Sequence, residues 1–133
     1  MPAKGQDMQT SIFLAKLLGP PLLIVGIGIL INRAYYLAMT RQFVGSPPLM
    51  YLGAVVGMVA GLAIVLVHNV WTADWRVLIT LLGWIHVVRG AATVIFPQKV
   101  AGFAARVTRR GILIASAVPL ILGAVFVFFG YFR

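Results

Sequence analysis

Apolar residues gather into four long runs, at roughly 12–31, 50–67, 75–96 and 111–132, separated by stretches that hold most of the charge. A helix rising about 1.5 Å per residue needs around 20 residues to cross a hydrocarbon core about 30 Å thick, and each run is close to that length. The pattern predicts an all-α, membrane-embedded four-helix bundle, with residues 1–133 forming one transmembrane domain. The 68–74 link is short and the first and third links are longer. That order reads as two helical hairpins, first span with second and third with fourth.

The two longer links have amphipathic patterns of their own. In the third, Val100, Phe103 and Val107 share a helical face, while Lys99, Arg106 and Arg110 lie largely to the other sides. In the first, Tyr35, Tyr36, Met39 and Phe43 accompany Arg33 and Arg41 until Pro47-Pro48 ends the segment. Both predict short interfacial helices, apolar side toward the membrane and basic side toward phosphate.

Small residues recur at helical spacing inside the runs. Gly53, Gly57 and Gly61 form a small-xxx-small ridge on the second span, and Gly83 and Gly90 lie on the third. Gly19 and Gly26 on the first span match Ser116, Gly123 and Gly130 on the fourth. Membrane helices associate by close packing because lipid removes the hydrophobic drive between them, so these residues are assigned to packing in a left-handed bundle. Pro20, Pro21 and Pro119 are expected to kink or loosen the first and fourth spans.

Composition strengthens the membrane reading. Hydrophobic residues make up 62% of the chain and the mean hydropathy is +1.03, leaving little with which to cover a water-soluble surface. Eleven Lys and Arg oppose only Asp7 and Asp74, for a formal charge of +9. In a soluble protein this excess would suggest nucleic acid. Here Lys99, Arg106, Arg109 and Arg110 sit at span ends, where anionic lipid headgroups are the expected partner and nucleic acid is not.

Arg33, Arg41, Lys99, Arg106, Arg109 and Arg110 on one side outnumber Lys4, Lys16, Arg76 and Arg133 on the other. The first and third links are therefore expected in the cytoplasm and both termini in the periplasm. The first apolar run is too long for a usual signal-peptide core and is read as a retained helix. Without cysteine, disulfides and thiolate chemistry drop out.

The third span carries the most informative polar residues. Arg76, Thr80, Gly83, His86, Arg89, Gly90 and Thr93 fall within one half of its circumference, and Leu81, Trp84, Ile85, Val88 and Ile95 within the other. One face then meets protein or water and one meets lipid. An intramembrane arginine costs about 2.5–3.5 kcal/mol on insertion scales, so Arg89 needs a partner or a route to the interface. With no carboxylate beside it, Arg89 and His86 form a candidate anion site; snorkelling is the structural alternative.

A second candidate is the outward-facing polar group His68, Asn69, Asp74 and Arg76. His68 continues the Gly53–Gly57–Gly61 face and should point inward, Asp74 suits the start of the following helix, and Trp71 and Trp75 suit the aromatic belt.

Gly61 to Trp71, with its His68-Asn69-Val70-Trp71 element, and Asp74 to Trp84, with Gly83-Trp84, resemble a group of small four-helix bacterial inner-membrane proteins of unassigned function. The resemblance covers about the middle third of the chain. It implies a bacterial cytoplasmic membrane and carries no activity.

Catalytic chemistry finds little footing. Two histidines at different depths and one nearby carboxylate do not make a metal site within one bundle, and no cofactor is expected, a haem shared between subunits being the open alternative. Ser11, Ser46 and Ser116 show no neighbouring base in the sequence, and no phosphate-binding glycine loop occurs. The chain is expected not to be an enzyme. It reads as an accessory or structural subunit that binds a membrane partner, or a second copy, through small-residue faces. The alternative is a small oligomeric channel or transporter for an anion or lipid-like solute using Arg89 and His86. A tight bundle with an exposed small-residue face favours the first; an open route past Arg89 and His86 favours the second.

Overall fold

The computed structural model describes residues 4–132, the side chain of Lys4 excepted, and contains α1 (Lys4–Ile31), α2 (Arg33–Val44), α3 (Pro47–Val67), α4 (Arg76–Ile95), α5 (Pro97–Ala105) and α6 (Arg109–Tyr131). The Lys4 side chain and Arg133, both counted in the charge balance, lie outside the described residues. Helices α1, α3, α4 and α6 carry the four apolar runs and are long and apolar enough to cross a membrane. Between 22% and 28% of each spanning window is buried, so most of its Leu, Ile, Val and Phe surface faces outward. Lipid suits such a surface and water does not.

Local chemistry explains the boundaries. Pro47 opens α3 instead of ending the segment before it, because proline fixes a helical φ and the first turn does not use its missing N–H. The stop falls earlier, at Gly45, whose N–H bonds the Arg41 carbonyl at 3.1 Å. Pro97 opens α5 in the same way, and the Thr108 hydroxyl accepts the Gly111 N–H at the start of α6.

Packing runs mainly between α1 and α6 and between α3 and α4. The second pair is a true hairpin across residues 68–75. The first joins the two ends of the sequence, which differs from the expected pairing of α1 with α3 and of α4 with α6. Its cause lies in the seams. Along α1 and α6, Gly19 faces Val127, Gly26 faces Leu120, Gly123 faces Leu23 and Gly130 faces Lys16, an antiparallel register. A Cβ on Gly123 would lie 2.7 Å from the Leu23 backbone nitrogen, a distance that only glycine allows. The short helix α2, which links α1 to α3, packs on α3, α5 and α6 and more lightly on α1.

The α3–α4 seam is equally close. A Cβ on Gly61 would lie 2.6 Å from the Gly83 carbonyl oxygen, and one on Gly90 would lie 2.7 Å from the Ala54 carbonyl oxygen. The α3 seam therefore runs through Ala54, Met58, Gly61 and Val65 and not along the expected Gly53–Gly57–Gly61 ridge. Gly53 is instead covered by the Phe43 ring of α2, and Gly57 has no neighbour within 4 Å of where its Cβ would be.

The two pairs join near the 68–75 turn, where Leu14 and Ala15 of α1, Ile79 of α4 and Phe126 of α6 form a buried cluster. Trp75 stacks on Phe129 beside it, ring centroids 5.0 Å apart. At the opposite, basic end α2 and α5 pack on each other. The accessible surface is 8801 Å², against about 6,800 Å² for a compact water-soluble chain of the same mass.

The proline positions do not interrupt α1 or α6. Pro20 cannot donate to the Lys16 carbonyl, and the Tyr131 hydroxyl of α6 does so instead at 3.1 Å.

Candidate functional site

At the turn end, His68 ends α3 with its ring 2% exposed. Its Nε2 lies 2.7 Å from the Ser11 hydroxyl of α1 and its Nδ1 lies 3.1 Å from the Thr80 hydroxyl of α4. Ser11 also donates to the Asp7 carbonyl at 2.6 Å, which leaves its oxygen free to accept from Nε2–H. Thr80 accepts the Val70 N–H at 3.1 Å and is 3.0 Å from the Val70 carbonyl. Its hydrogen can turn to Nδ1 or to that carbonyl, so the ring is satisfied either neutral or protonated.

The expectation that Ser11 lacks a base is overturned: the fold brings one from 57 positions away. The pair still has no substrate space, since Ser11, His68 and Thr80 are all essentially buried. It is a clasp holding α1, α4 and the end of α3 together. Burial away from water lowers the His68 pKa from its usual value, and the Arg76 charge works in the same direction.

The other members of the expected outward-facing group do not converge on His68. Asn69 accepts the Trp71 indole N–H at 2.7 Å. Asp74 accepts the backbone N–H of Arg76 at 2.9 Å and the Thr72 hydroxyl at 2.9 Å, which fixes the entry to α4. The Arg76 guanidinium reaches Asp74 at 2.6 Å, and its hydrogen bonds hold the Asp74 carboxyl at about 2, below the usual carboxylate range. These contacts are local, between residues two positions apart, so they organise the turn and leave no shared cavity.

The polar face of α4 is used in part as its pattern suggests, with Arg89 itself exposed. Thr80, Gly83, Gly90 and Thr93 are buried, His86 is half-buried, and Leu81, Trp84, Ile85, Val88 and Ile95 face outward. His86 and Arg89 line one cavity of about 440 Å³, with Gly53 and Gly57 of α3, Thr40 and Phe43 of α2, and Val100 and Ala104 of α5. Val100 and Ala104 thus turn toward the cavity, whereas Phe103, expected on the Val100 face, is 80% exposed.

Two hydrogen bonds decide what this cavity can offer. His86 Nδ1–H donates to the Leu82 carbonyl at 2.8 Å, so Nε2 remains the working atom of the ring. The Thr93 hydroxyl donates to the Arg89 carbonyl at 2.8 Å, and the Thr40 hydroxyl to the Tyr36 carbonyl at 2.9 Å. Both threonines are thereby spent as donors. The guanidinium of Arg89 is in no ion pair; among the described residues the one salt bridge is Arg76–Asp74. No group of three or more His, Cys, Asp or Glu suited to a metal occurs among them either.

Sequence reasoning missed the contribution of α2 and α5 to this cavity, and the signal was weak. Met39 and Phe43 read as membrane anchors, yet both line the cavity, and Phe43 also covers Gly53. No family model matches this sequence, and comparison with curated proteins and with solved structures finds no match to it.

Proposed function

We propose that this chain is a non-enzymatic, multi-pass protein of a bacterial inner membrane whose cavity beside α4 binds an anionic or lipid-like solute, as the binding step of a channel or carrier. The observation that carries the reading is the convergence of Arg89 and His86 on one cavity with no carboxylate to neutralise the guanidinium. A guanidinium within a membrane needs either a partner or a route to the interface, and a bound anion is the partner this cavity has room for.

The accessory-subunit reading rests on small-residue faces open to a partner. Gly19, Gly26, Gly61, Gly83, Gly90, Gly123 and Gly130 are consumed in contacts inside the chain, and Gly57 opens on the cavity, which favours the solute reading. The closed Ser11–His68 pair supports a non-catalytic role. The bacterial inner membrane rests on the resemblance of the middle third. Charge distribution favours α2 and α5 as interfacial helices on the cytoplasmic side, where Lys99, Arg106, Arg109 and Arg110 would meet anionic headgroups.

Nanodisc-reconstituted protein, its Arg89→Lys and Arg89→Ala variants, and native mass spectrometry with anion titration test this. The parent should retain an anion, Arg89→Lys should retain it more weakly, and Arg89→Ala should lose it. Equal retention by all three, or none by the parent, refutes the proposal.

A further inference from the structure

The Arg89 cavity has a neighbour. A second cavity of about 500 Å³ shares Val44, Met50 and Thr93 with it and is otherwise lined by Pro47, Tyr51, Val94 and nearby α5 residues. Its lining is mostly apolar, with Thr93 and Gln98 as its polar members, and Tyr51 and Val94 are 61% and 37% exposed, so it opens on the outward surface of α3 and α4. A small inorganic anion has no use for such a lobe. An amphiphile has: its polar end beside Arg89 and its chain in the lobe where the start of α3 and the end of α4 meet α5.

The polar end is selective in its chemistry. Arg89 offers only donors, which suit the oxygens of a phosphate or carboxylate. His86 Nε2, with Nδ1–H bound to the Leu82 carbonyl, is an acceptor while the ring is neutral. A ligand meeting both needs acceptor oxygens and one hydroxyl hydrogen on the same group. A singly protonated phosphate monoester, whose second pKa is about 6, has both; a phosphodiester has no hydroxyl on phosphorus.

We propose that the paired cavities between α2, α3, α4 and α5 bind a lipid phosphate monoester, its phosphate oxygens against the Arg89 guanidinium, its P–OH toward His86 Nε2, and its chain in the apolar lobe. This rests on the reading that Arg89 and His86 hold an anion, and it names the anion's class. Gly57 is the means of testing it, because it lines the polar cavity and a Cβ there would meet nothing within 4 Å. Gly57→Leu should fill the cavity without disturbing a seam. Gly102→Leu on α5, equally unobstructed and outside both cavities, is its control.

The full chain in neutral-lipid nanodiscs is titrated with phosphatidic acid, with phosphatidylglycerol of the same acyl chains, with glycerol phosphate and with inorganic phosphate, read by native mass spectrometry. Phosphatidic acid should bind at least about tenfold more tightly than each of the others. Gly57→Leu should abolish that binding and Gly102→Leu should leave it intact. His86→Phe should remove the preference for monoester over diester. Should Gly57→Leu not fold, Arg89→Gln, at an exposed helix position, serves as the loss-of-binding variant. Equal binding of the diester overturns the monoester assignment, and equal binding of free phosphate overturns the lipid; in either case the anion reading survives. Binding of none of the four sinks both.

Discussion

Removing the His68 ring should cost this protein a large part of its stability at the turn end. His68→Ala deletes hydrogen bonds to Ser11 and Thr80, 2.7 and 3.1 Å long, each worth about 1 kcal/mol net. It also empties the space of a ring that is 2% exposed, for which large-to-small substitutions suggest at least about 2 kcal/mol. The loss is not larger because neither hydroxyl is orphaned: Ser11 keeps the Asp7 carbonyl and Thr80 keeps the Val70 backbone. The expected destabilisation is about 4 kcal/mol, measurable by denaturant titration in mixed micelles.

The pH dependence gives a second reading of the same ring. The folded-state pKa of His68 is lowered from 6.5 by burial. As pH falls below 6.5 the unfolded chain takes up a proton before the folded one, so stability is full above that value and declines as pH drops toward the folded pKa. The charged groups nearby, Arg76, Asp7 and Asp74, are unchanged in the variant. Parent stability should therefore fall more than that of His68→Ala between pH 7.5 and about 5. A destabilisation under about 1 kcal/mol, or parallel pH profiles, would refute the clasp.

Two further changes discriminate seam from surface. Gly61→Leu forces a side chain onto the Gly83 carbonyl, which is backbone and cannot move aside, and should separate α3 from α4, seen as lost cooperative unfolding; Gly57→Leu should unfold as the parent does. Tyr131→Phe removes the hydroxyl that serves the Lys16 carbonyl freed by Pro20 and should cost about 1 kcal/mol in the same titration.

Much of the fold was legible because lipid imposes a strict length on each span and because packing seams must repeat with the helix. The seven-residue spacing of Gly19 and Gly26, and of Gly123 and Gly130, marked both faces of one interface. Spacing alone does not say which helix meets which, so the α1–α6 pairing was hidden: Gly19 and Gly26 could have met any small-residue seam of matching period. The α3 seam was misplaced for a related reason, since a ridge of glycines need not face another spanning helix when Phe43 from a connecting segment covers one of them. His86 and Arg89 were visible as a polar face on α4. The clasp was not: periodicity turned His68 inward, but Ser11 and Thr80 come to it only in three dimensions.

The account turns on α1 lying antiparallel to α6 in the bilayer, and cysteine cross-linking addresses that directly in a chain that has no cysteine of its own. A Cβ at position 19 would lie 2.9 Å from Val127 Cγ2, which makes 19 and 127 direct neighbours across the seam. Mild oxidation in native membranes should join Gly19→Cys to Val127→Cys in high yield and leave the Gly19→Cys, Gly57→Cys pair on α1 and α3 reduced. Efficient bridging of the second pair, with none in the first, would contradict it.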